Sequence, residues 1–351
     1  MDRYIGLDAH KQTCLLAVLD AKGKRVGAPR VVETNGEALV AAVQSIPGRR
    51  HLCLEEGTHS AWLHELLGPQ VDEIVVTVPE KRRRGSKSDA ADAEALAEAL
   101  RVGAVRTRVF KAPPQFAALR DAVRGYGTAV RDVTRTKNRL RSLFRARGVP
   151  VGPEVYGPER MALAAQLPPS SRRLAEVWGA QLDALAQVRG TAEAWLEEEA
   201  KRHAIIGRLA TVPGLGPIRS AQIVAITVTP HRFRTRRQFW SYSGLAIVTR
   251  SSAEWQQLDG RPVRVREPQT RGLNRNRHPL LKAVFKGAAK TIINQLPEHP
   301  LHQAYQRLVT SGTKDTLARL TLARKVASIT LALWKRDERY DPAHHAGRQS
   351  G

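Results

Sequence analysis

Carboxylates in three separate segments of the chain have the residue types and spacing that a divalent-metal site requires. Asp8 lies near the end of the run "YIGLDAH", and Glu55 and Glu56 end the run "HLCLEE". Asp89 and Asp92 are three residues apart, so on a helix they would share one face. Clustered carboxylates repel one another, so a cation is needed to hold them together. Their hard oxygen atoms favour Mg²⁺, with Mn²⁺ as the alternative.

Two such ions would stabilise both the attacking and the leaving oxygen of a phosphodiester. Each carboxylate also has a simpler explanation. Asp8 would be a turn residue, Glu55 and Glu56 a solvated strand end, and Asp89 and Asp92 favourable charges at a helix N-terminus. A metal site is favoured only if the fold brings the three segments together.

The first hundred residues alternate between strand-like and helix-like patterns. Three strand candidates occupy residues 3–32, the third of them being the run "KRVGAPRVVE". They are followed by a helix (36–46), a strand (51–56), a helix (60–68), a strand (72–79) and a helix (88–101). Ser88 is the expected N-cap of that last helix. This order is typical of an α/β ribonuclease H-like domain, in which the first and fourth strands are neighbours and the last helix packs across them. The carboxylate segments would then meet.

The charge balance indicates a polyanionic partner. The chain has 57 Lys and Arg against 33 Asp and Glu, a net charge of +24, and nucleic acid is the usual partner of such a chain. A run of cations directly precedes Asp89, formed by Arg82, Arg83, Arg84 and Lys87. No apolar run approaches the length of a membrane span. The first residues, "MDRYIGLDAHK", carry charges where a signal peptide would have its apolar region, so no signal peptide is predicted. Cys14 and Cys53 lie in apolar runs without a CxxC motif, as reduced core residues of a cytoplasmic protein would.

Residues 111–150 have a heptad pattern and a strongly basic composition. Apolar residues recur at spacings of three and four, interrupted by Lys137: Phe116, Leu119, Val123, Tyr126, Val130, Val133, Leu140 and Phe144. The segment holds ten Lys or Arg and two Asp, and we expect Arg131, Arg135 and Arg139 to face nucleic acid. A second helical stretch at 171–208 would pair with it antiparallel or cross to another subunit. An ordinary helical hairpin with a solvated basic face is the simpler alternative.

The segment "VPGLGP" (212–217) predicts the turn of a helix-hairpin-helix unit. Gly214 and Gly216 would let the turn approach a phosphate closely, and the next helix would offer free N–H groups. A plain turn between two helices is the alternative. Further along, residues 239–290 run from predicted strands into a basic helix, 313–336 form a last helix, and the tail from 338 is expected to be disordered.

Six motifs resemble those of one known family, the DEDD-type insertion-sequence transposases related to the Piv DNA invertase. They are "GLDAHK" (6–11), "EGTHSAW" (56–62), "KSDAADAEALAEAL" (87–100), "VPGLGP", "YSGLAIVTRSSAEW" (242–255) and "RGLNRNRHPLLKAVFKGAA" (271–289). The resemblance implies a RuvC-like catalytic domain whose metal ligands are Asp8, Glu56, Asp89 and Asp92. Glu56 is chosen over Glu55 because Thr58 and Trp62 then follow at the family's spacing.

The resemblance also implies a nucleophilic serine in the C-terminal part. Ser252 takes the family's position, but Ala253 stands where that family usually has glycine, so Ser251 remains an alternative. The serine would attack a phosphodiester and conserve its energy in a phosphoserine link. A lone serine without a nearby base would otherwise indicate only a polar loop.

The remaining expectations concern partners and domains. The resemblance implies a structured bridge RNA that pairs with donor and target DNA, a homo-oligomer (dimer or tetramer), and a place at the bacterial nucleoid. Further candidate nucleic-acid contacts are Arg250, Arg271 and Arg275.

The predicted domains are a RuvC-like domain (1–110), a basic coiled-coil region (111–205), a mostly α transposase domain (206–337) and a tail (338–351). A junction-resolving nuclease using metal-activated water and a non-enzymatic basic scaffold are the rival functions.

Overall fold

A five-stranded mixed sheet organises the first part of the chain. The computed structural model describes residues 1–79, 88–250, 255–264 and 269–342. The strands are β1 (Asp2–Ala9), β2 (Thr13–Asp20), β3 (Arg30–Glu33), β4 (Arg49–Glu55) and β5 (Glu73–Thr77), in the spatial order β3-β2-β1-β4-β5. The first three are antiparallel, and β4 and β5 run parallel to β1. The predicted neighbours β1 and β4 are therefore confirmed.

Helices cover both faces of this sheet. Side chains of α1 (Gly36–Gln44) and α2 (Ser60–Leu67) form one core with the residues of β1 and β4 on one face, Ile5, Leu7, Leu52 and Leu54 among them. Helix α3 (Asp89–Arg101) covers the other face, where its Leu96 and Leu100 pack with Cys53. Both cysteines are free and buried, and burial raises the pKa of the Cys53 thiol to about 12. They are core residues, as predicted.

Glycine at position 6 sets the distance between β1 and α3. A Cβ built on Gly6 would lie 1.7 Å from the carbonyl oxygen of Ala93. No side chain is tolerated at that distance, so the helix backbone rests almost directly on the strand. Because side chains alternate along a strand, Asp8 faces the same side of the sheet as Gly6. The close approach therefore brings the first turn of α3 over Asp8.

One local prediction in this part was wrong, and the predicted N-cap position of α3 was confirmed. The third strand was expected to extend through "KRVGAPRVVE", but β3 begins only at Arg30, because Gly27 has φ +80° and Pro29 cannot donate to a ladder. Ser88 occupies the N-cap position with an extended backbone, but its side chain makes no capping hydrogen bond. Two carboxylates in the first turn, Asp89 and Asp92, supply negative charge there instead.

The rest of the chain, from residue 116, forms a second compact unit that is mostly helical. Its elements are α4 (Ala117–Arg145), α5 (Arg160–Ala164), α6 (Pro169–Lys201), α7 (Ala204–Leu209), α8 (Gly216–Thr227), α9 (Arg236–Tyr242), β6 (Ile247–Arg250), β7 (Trp255–Leu258), β8 (Arg261–Arg264), β9 (Gln269–Leu273), α10 (Pro279–Gln295), α11 (Pro300–Thr310) and α12 (Asp315–Arg336). Strand β6 pairs with β9, and β7 with β8. In the described part of the chain, no helix is long and apolar enough to cross a bilayer.

Helices α4 and α6 pack antiparallel. Leu119, near the start of α4, shares a core with Leu196 at the end of α6, whereas Phe144 shares another with Ala175 near the start of α6. The apolar face of α4 is thus the one that the heptad pattern predicts. Lys137, which interrupts the pattern, places its ammonium 4.9 Å from the centre of the Tyr156 ring.

The core that contains Leu119 and Leu196 also contains residues of α8, α10 and α12. The helical region and the C-terminal part are therefore packed together within this unit. The predicted helical stretch 171–208 is interrupted after α6, and α7 begins at Ala204. At the start of the predicted tail, the Tyr340 N–H donates to the Thr211 hydroxyl at 2.9 Å.

Gly6→Ala should destabilise the first unit, because the new methyl group would collide with the Ala93 carbonyl. Overpacking of a core costs about 1–3 kcal/mol, and a backbone clash should lie at the upper end of that range. Urea unfolding measures the loss. Gly68→Ala is the matched control, since Gly68 has φ −52° and open space around its Cβ position. Equal stability of the two variants would contradict the proposed close approach.

Candidate active site

The structure brings Asp8 and Asp89 together and adds a histidine between them. His10 Nε2 lies 3.2 Å from Asp8 Oδ2 and 3.4 Å from Asp89 Oδ2. Asp8 comes from the end of β1, His10 from the turn after it, and Asp89 from the first residue of α3. The Asp8 side chain is 19% exposed, and the other two are about half exposed at 46% and 51%. The three side chains form a polar cluster that is open to solvent on one side.

The donor set of this cluster fits a single divalent ion. One ligand atom from each side chain lies within 4.8 Å of the other two. Ligands about 2.1 Å from an octahedral ion stand about 3 Å apart, close to the separations that His10 makes with the two carboxylates. The two carboxylates suit Mg²⁺ and Mn²⁺, and the imidazole nitrogen of His10 adds a ligand of the kind that transition ions accept.

Glu56 is held by a different set of contacts. It follows β4, and its Oε2 accepts a hydrogen bond from Lys111 Nζ at 2.5 Å and another from the Ser60 hydroxyl at 3.2 Å. Lys111 also donates to Ser60 Oγ at 2.8 Å. Ser60 is buried and the Lys111 side chain is only 11% exposed, whereas Glu56 is 42% exposed. The carboxylate is therefore anchored from its buried side and open on the other.

The two remaining candidates lie close in the chain to residues already placed. Asp92 is one turn after Asp89 on α3, and its backbone N–H donates to the Ser88 carbonyl at 3.0 Å. Glu55 is the last residue of β4, opposite Thr77 of β5. Strand alternation puts it on the face that α3 covers, the same face as Asp8. Among the described residues, the group close enough to share one ion is Asp8, His10 and Asp89, without Glu56 or Asp92.

Sequence reasoning missed His10 and Lys111. His10 had a usable signal, since it stands two residues after Asp8, in "GLDAHK". Lys111 had none, because its contact with Glu56 depends on how residues 107–111 run beside β5.

The predicted nucleic-acid face of α4 is exposed. Arg131, Arg135 and Arg139 all lie on the solvent side of the helix. Arg131 donates to the Thr128 hydroxyl at 2.8 Å, and Arg135 lies 3.5 Å from Asp132. Exposed pairs of this kind are weak, so they would not prevent either guanidinium from contacting a phosphate.

The glycines of the "VPGLGP" turn have different surroundings. Both have positive φ, +79° at Gly214 and +63° at Gly216. A Cβ on Gly214 would lie 2.4 Å from the Ala288 carbonyl oxygen in α10, whereas Gly216 faces open space. Packing against α10 is by itself enough to require glycine at 214. A phosphate contact remains a prediction at both positions.

The segment after β9 lines an open groove of about 560 Å³. Tyr242 and Arg277 are among its lining residues, and Arg275, in the same segment, is exposed. An aromatic ring beside guanidinium groups is suited to a base and its phosphate.

The other predicted site residues belong to the segments before α3 and around β6 and β9. Arg82, Arg83, Arg84, Lys87, Ser251 and Ser252 lie outside the described residues. Arg250 ends β6 and Arg271 lies within β9.

His10→Ala should weaken Mn²⁺ binding at least about tenfold, the factor that even loss of an outer-shell partner costs. Asp8→Asn should weaken it further, because it removes a charged ligand. Mn²⁺ titration followed by electron paramagnetic resonance measures both. His231→Ala, at an exposed position of the second unit, is the control. Unchanged affinity in His10→Ala would show that His10 is only a hydrogen-bond partner of the carboxylates.

Comparisons with known proteins place the chain in one family. The family model of DEDD transposases of the IS110 type matches residues 5–146, and that of the IS116/IS110/IS902 transposase family matches residues 207–294. A Sinorhizobium fredii protein described as transposase y4pF/y4sB is 25% identical over 83% of this chain and 74% of its own length. A Pseudomonas aeruginosa protein described as a family 20 transposase is 28% identical over 58% of this chain and 62% of its own. With two family models matching successive parts of it, the chain belongs to the IS110-type transposase family.

Proposed function

We propose that this transposase cuts and rejoins DNA with a metal-dependent carboxylate site and a serine nucleophile. The observation that carries the proposal is the convergence of Asp8, His10 and Asp89 where β1 ends and α3 begins. Glu56 and Asp92 complete the proposed ligand set, since Glu56 follows β4, the neighbour of β1 in the sheet, and Asp92 lies one turn after Asp89 on α3. The family membership supports DNA as the substrate.

In the proposed reaction, the oxygen of Ser252 forms a bond to phosphorus while the bond from phosphorus to one deoxyribose oxygen breaks. The serine proton passes to solvent, and the leaving oxygen takes up a proton. A bound divalent ion would supply charge stabilisation to the attacking or leaving oxygen. Rejoining reverses the exchange with the oxygen of another strand. The energy of the phosphodiester is conserved in the serine link, so no ATP is needed.

The carboxylates and the serine belong to different compact units of the chain. The proposed reaction therefore requires the serine to reach the metal either within one chain or from a neighbouring copy. The second arrangement would keep the enzyme inactive until the full complex assembles on DNA.

A structured RNA that pairs with donor and target DNA is part of the proposal. Its support is the family membership and the basic surface of α4 and of the segment after β9. Phosphate contacts of this kind are independent of sequence, so base pairing would have to supply the specificity.

A second copy of the chain is the proposed partner of α6. Leu174, Val177 and Val188 are 38%, 63% and 54% exposed, and with Ala184 they fall on a heptad pattern. This apolar stripe is separate from the face that packs on α4. A matching stripe on a second copy would cover it.

The rival function is a junction-resolving nuclease that uses metal-activated water. It requires the same carboxylates but neither serine. Covalent attachment of protein to DNA distinguishes the two.

Ser252→Ala should abolish the covalent protein–DNA adduct, whereas Ser251→Ala should retain it, because Ser252 takes the family's nucleophile position. The measurement is denaturing electrophoresis of the full-length protein with a nicked, labelled substrate carrying the element's end. If both variants still cleave and rejoin, water is the nucleophile and the serine proposal fails.

Reversing the charge of Arg131, Arg135 and Arg139 together should weaken nucleic-acid binding and flatten its salt dependence. The slope of log K against log salt should decrease by up to about 0.9 for each phosphate that is no longer neutralised. Replacement by glutamine is the matched control and should give a smaller change in the same direction. An unchanged slope in the charge-reversed variant would exclude this face of α4 as a binding surface.

A further inference from the structure

We propose that Lys111 is a positioning residue that orients Glu56 for the metal and acts as a fixed cation beside it. This inference rests on the proposed function, because it takes Glu56 to be a ligand. Lys111 would keep the Glu56 carboxylate oriented when no ion is bound.

Hydrogen bonds at the end of β5 bring the segment that carries Lys111 next to Glu56. At the end of β5, the Thr77 carbonyl accepts the Glu56 N–H at 2.7 Å, and the Thr77 hydroxyl donates to the Thr107 carbonyl at 3.0 Å. The Val109 N–H then donates to the Val76 carbonyl at 2.7 Å. One strand end therefore anchors both the segment that carries Glu56 and the segment that carries Lys111.

The contacts of Lys111 leave one oxygen of the carboxylate for another partner. Lys111 and Ser60 both donate to Oε2, and in the described part of the chain no hydrogen bond reaches Oε1. The ammonium also donates to Ser60 Oγ, and that hydroxyl lies 2.8 Å from the Gly57 carbonyl. Glu56 is thus held by one oxygen and can offer the other to an ion as a single-atom ligand.

A lysine with little exposure to solvent destabilises the site in two ways. The Lys111 side chain is only 11% exposed, so removing it from water costs free energy, and its charge opposes the binding of a nearby divalent ion. A serine or an asparagine would orient Glu56 without that repulsion. What the ammonium adds is a positive charge that attracts the Glu56 carboxylate and keeps it ordered among other carboxylates before an ion arrives.

This role predicts that metal affinity and reaction rate change in opposite directions. Lys111→Met removes a positive charge, so Mn²⁺ should bind roughly two- to tenfold more tightly. The same change frees Glu56 to move, and misplacement of a reacting group by about 1 Å costs up to about a hundredfold in rate. The rate of strand cleavage at saturating Mn²⁺ should therefore fall at least tenfold. A lysine that only stabilises the fold would give weaker binding together with slower cleavage.

The experiment uses the full-length protein, Mn²⁺ titration by electron paramagnetic resonance, and single-turnover cleavage of a supercoiled plasmid carrying the element's ends. Lys111→Arg keeps the charge and should leave Mn²⁺ affinity at the wild-type value while restoring part of the rate. Lys22→Met, at an exposed position of the same unit, should change neither quantity. Thermal melting verifies that each variant is folded.

Three outcomes would overturn the inference: a wild-type cleavage rate in Lys111→Met, joint loss of Mn²⁺ affinity and thermal stability in that variant, or loss of Mn²⁺ affinity in Glu55→Gln but not in Glu56→Gln. Failure of the proposed function looks different. The wild type itself would then bind no Mn²⁺, or Asp8→Asn would bind it equally well.

Discussion

The contact between Gly6 and the backbone of Ala93 sets the distance between Asp8 on β1 and Asp89 on α3. Asp8 is fixed by a central strand, but Asp89 belongs to a helix whose distance from the sheet is set by packing alone. A side chain at position 6 would push α3 outward and carry Asp89 with it. Because metal ligands must be placed within about half an ångström, the glycine is as important to the site as the carboxylates, although it can bind no ion.

Two side chains hold the carboxylates of the candidate site in different ways. His10 stands between Asp8 and Asp89, where its nitrogen is able to serve as a ligand. Lys111 holds Glu56 from the buried side and cannot be a ligand while it is protonated. The candidate site therefore has one part whose carboxylates an ion would bridge, and another whose carboxylate is already paired.

The sequence predicted the sheet well because its strands are short apolar runs bounded by turn signals. These runs identified β1, β2, β4 and β5, and the order of elements, typical of a ribonuclease H-like domain, implied that β1 and β4 are neighbours. It failed where one residue overrides a pattern, as Gly27 and Pro29 do before β3. It also failed for Lys111, whose partner lies 55 residues away and depends on the path of a loop. His10 could have been found, since it directly follows the strand that carries Asp8.

The helical region formed by α4 and α6 is part of the compact second unit and is not a linker between two domains. Leu119 and Leu196 pack in the same core as α8, α10 and α12, so the arginines of α4 belong to the same compact body as β6, which leads to Ser251 and Ser252. The part of α4 that carries Arg131, Arg135 and Arg139 packs in a second core, to which it contributes Val133, Leu140 and Phe144 and which it shares with α5 and α6. Helix α4 is therefore held by close packing near both of its ends, and close-packed interiors yield little. Nucleic acid bound along these arginines would rest on a firmly held surface, which explains why the basic residues lie on a packed helix and not on a loop.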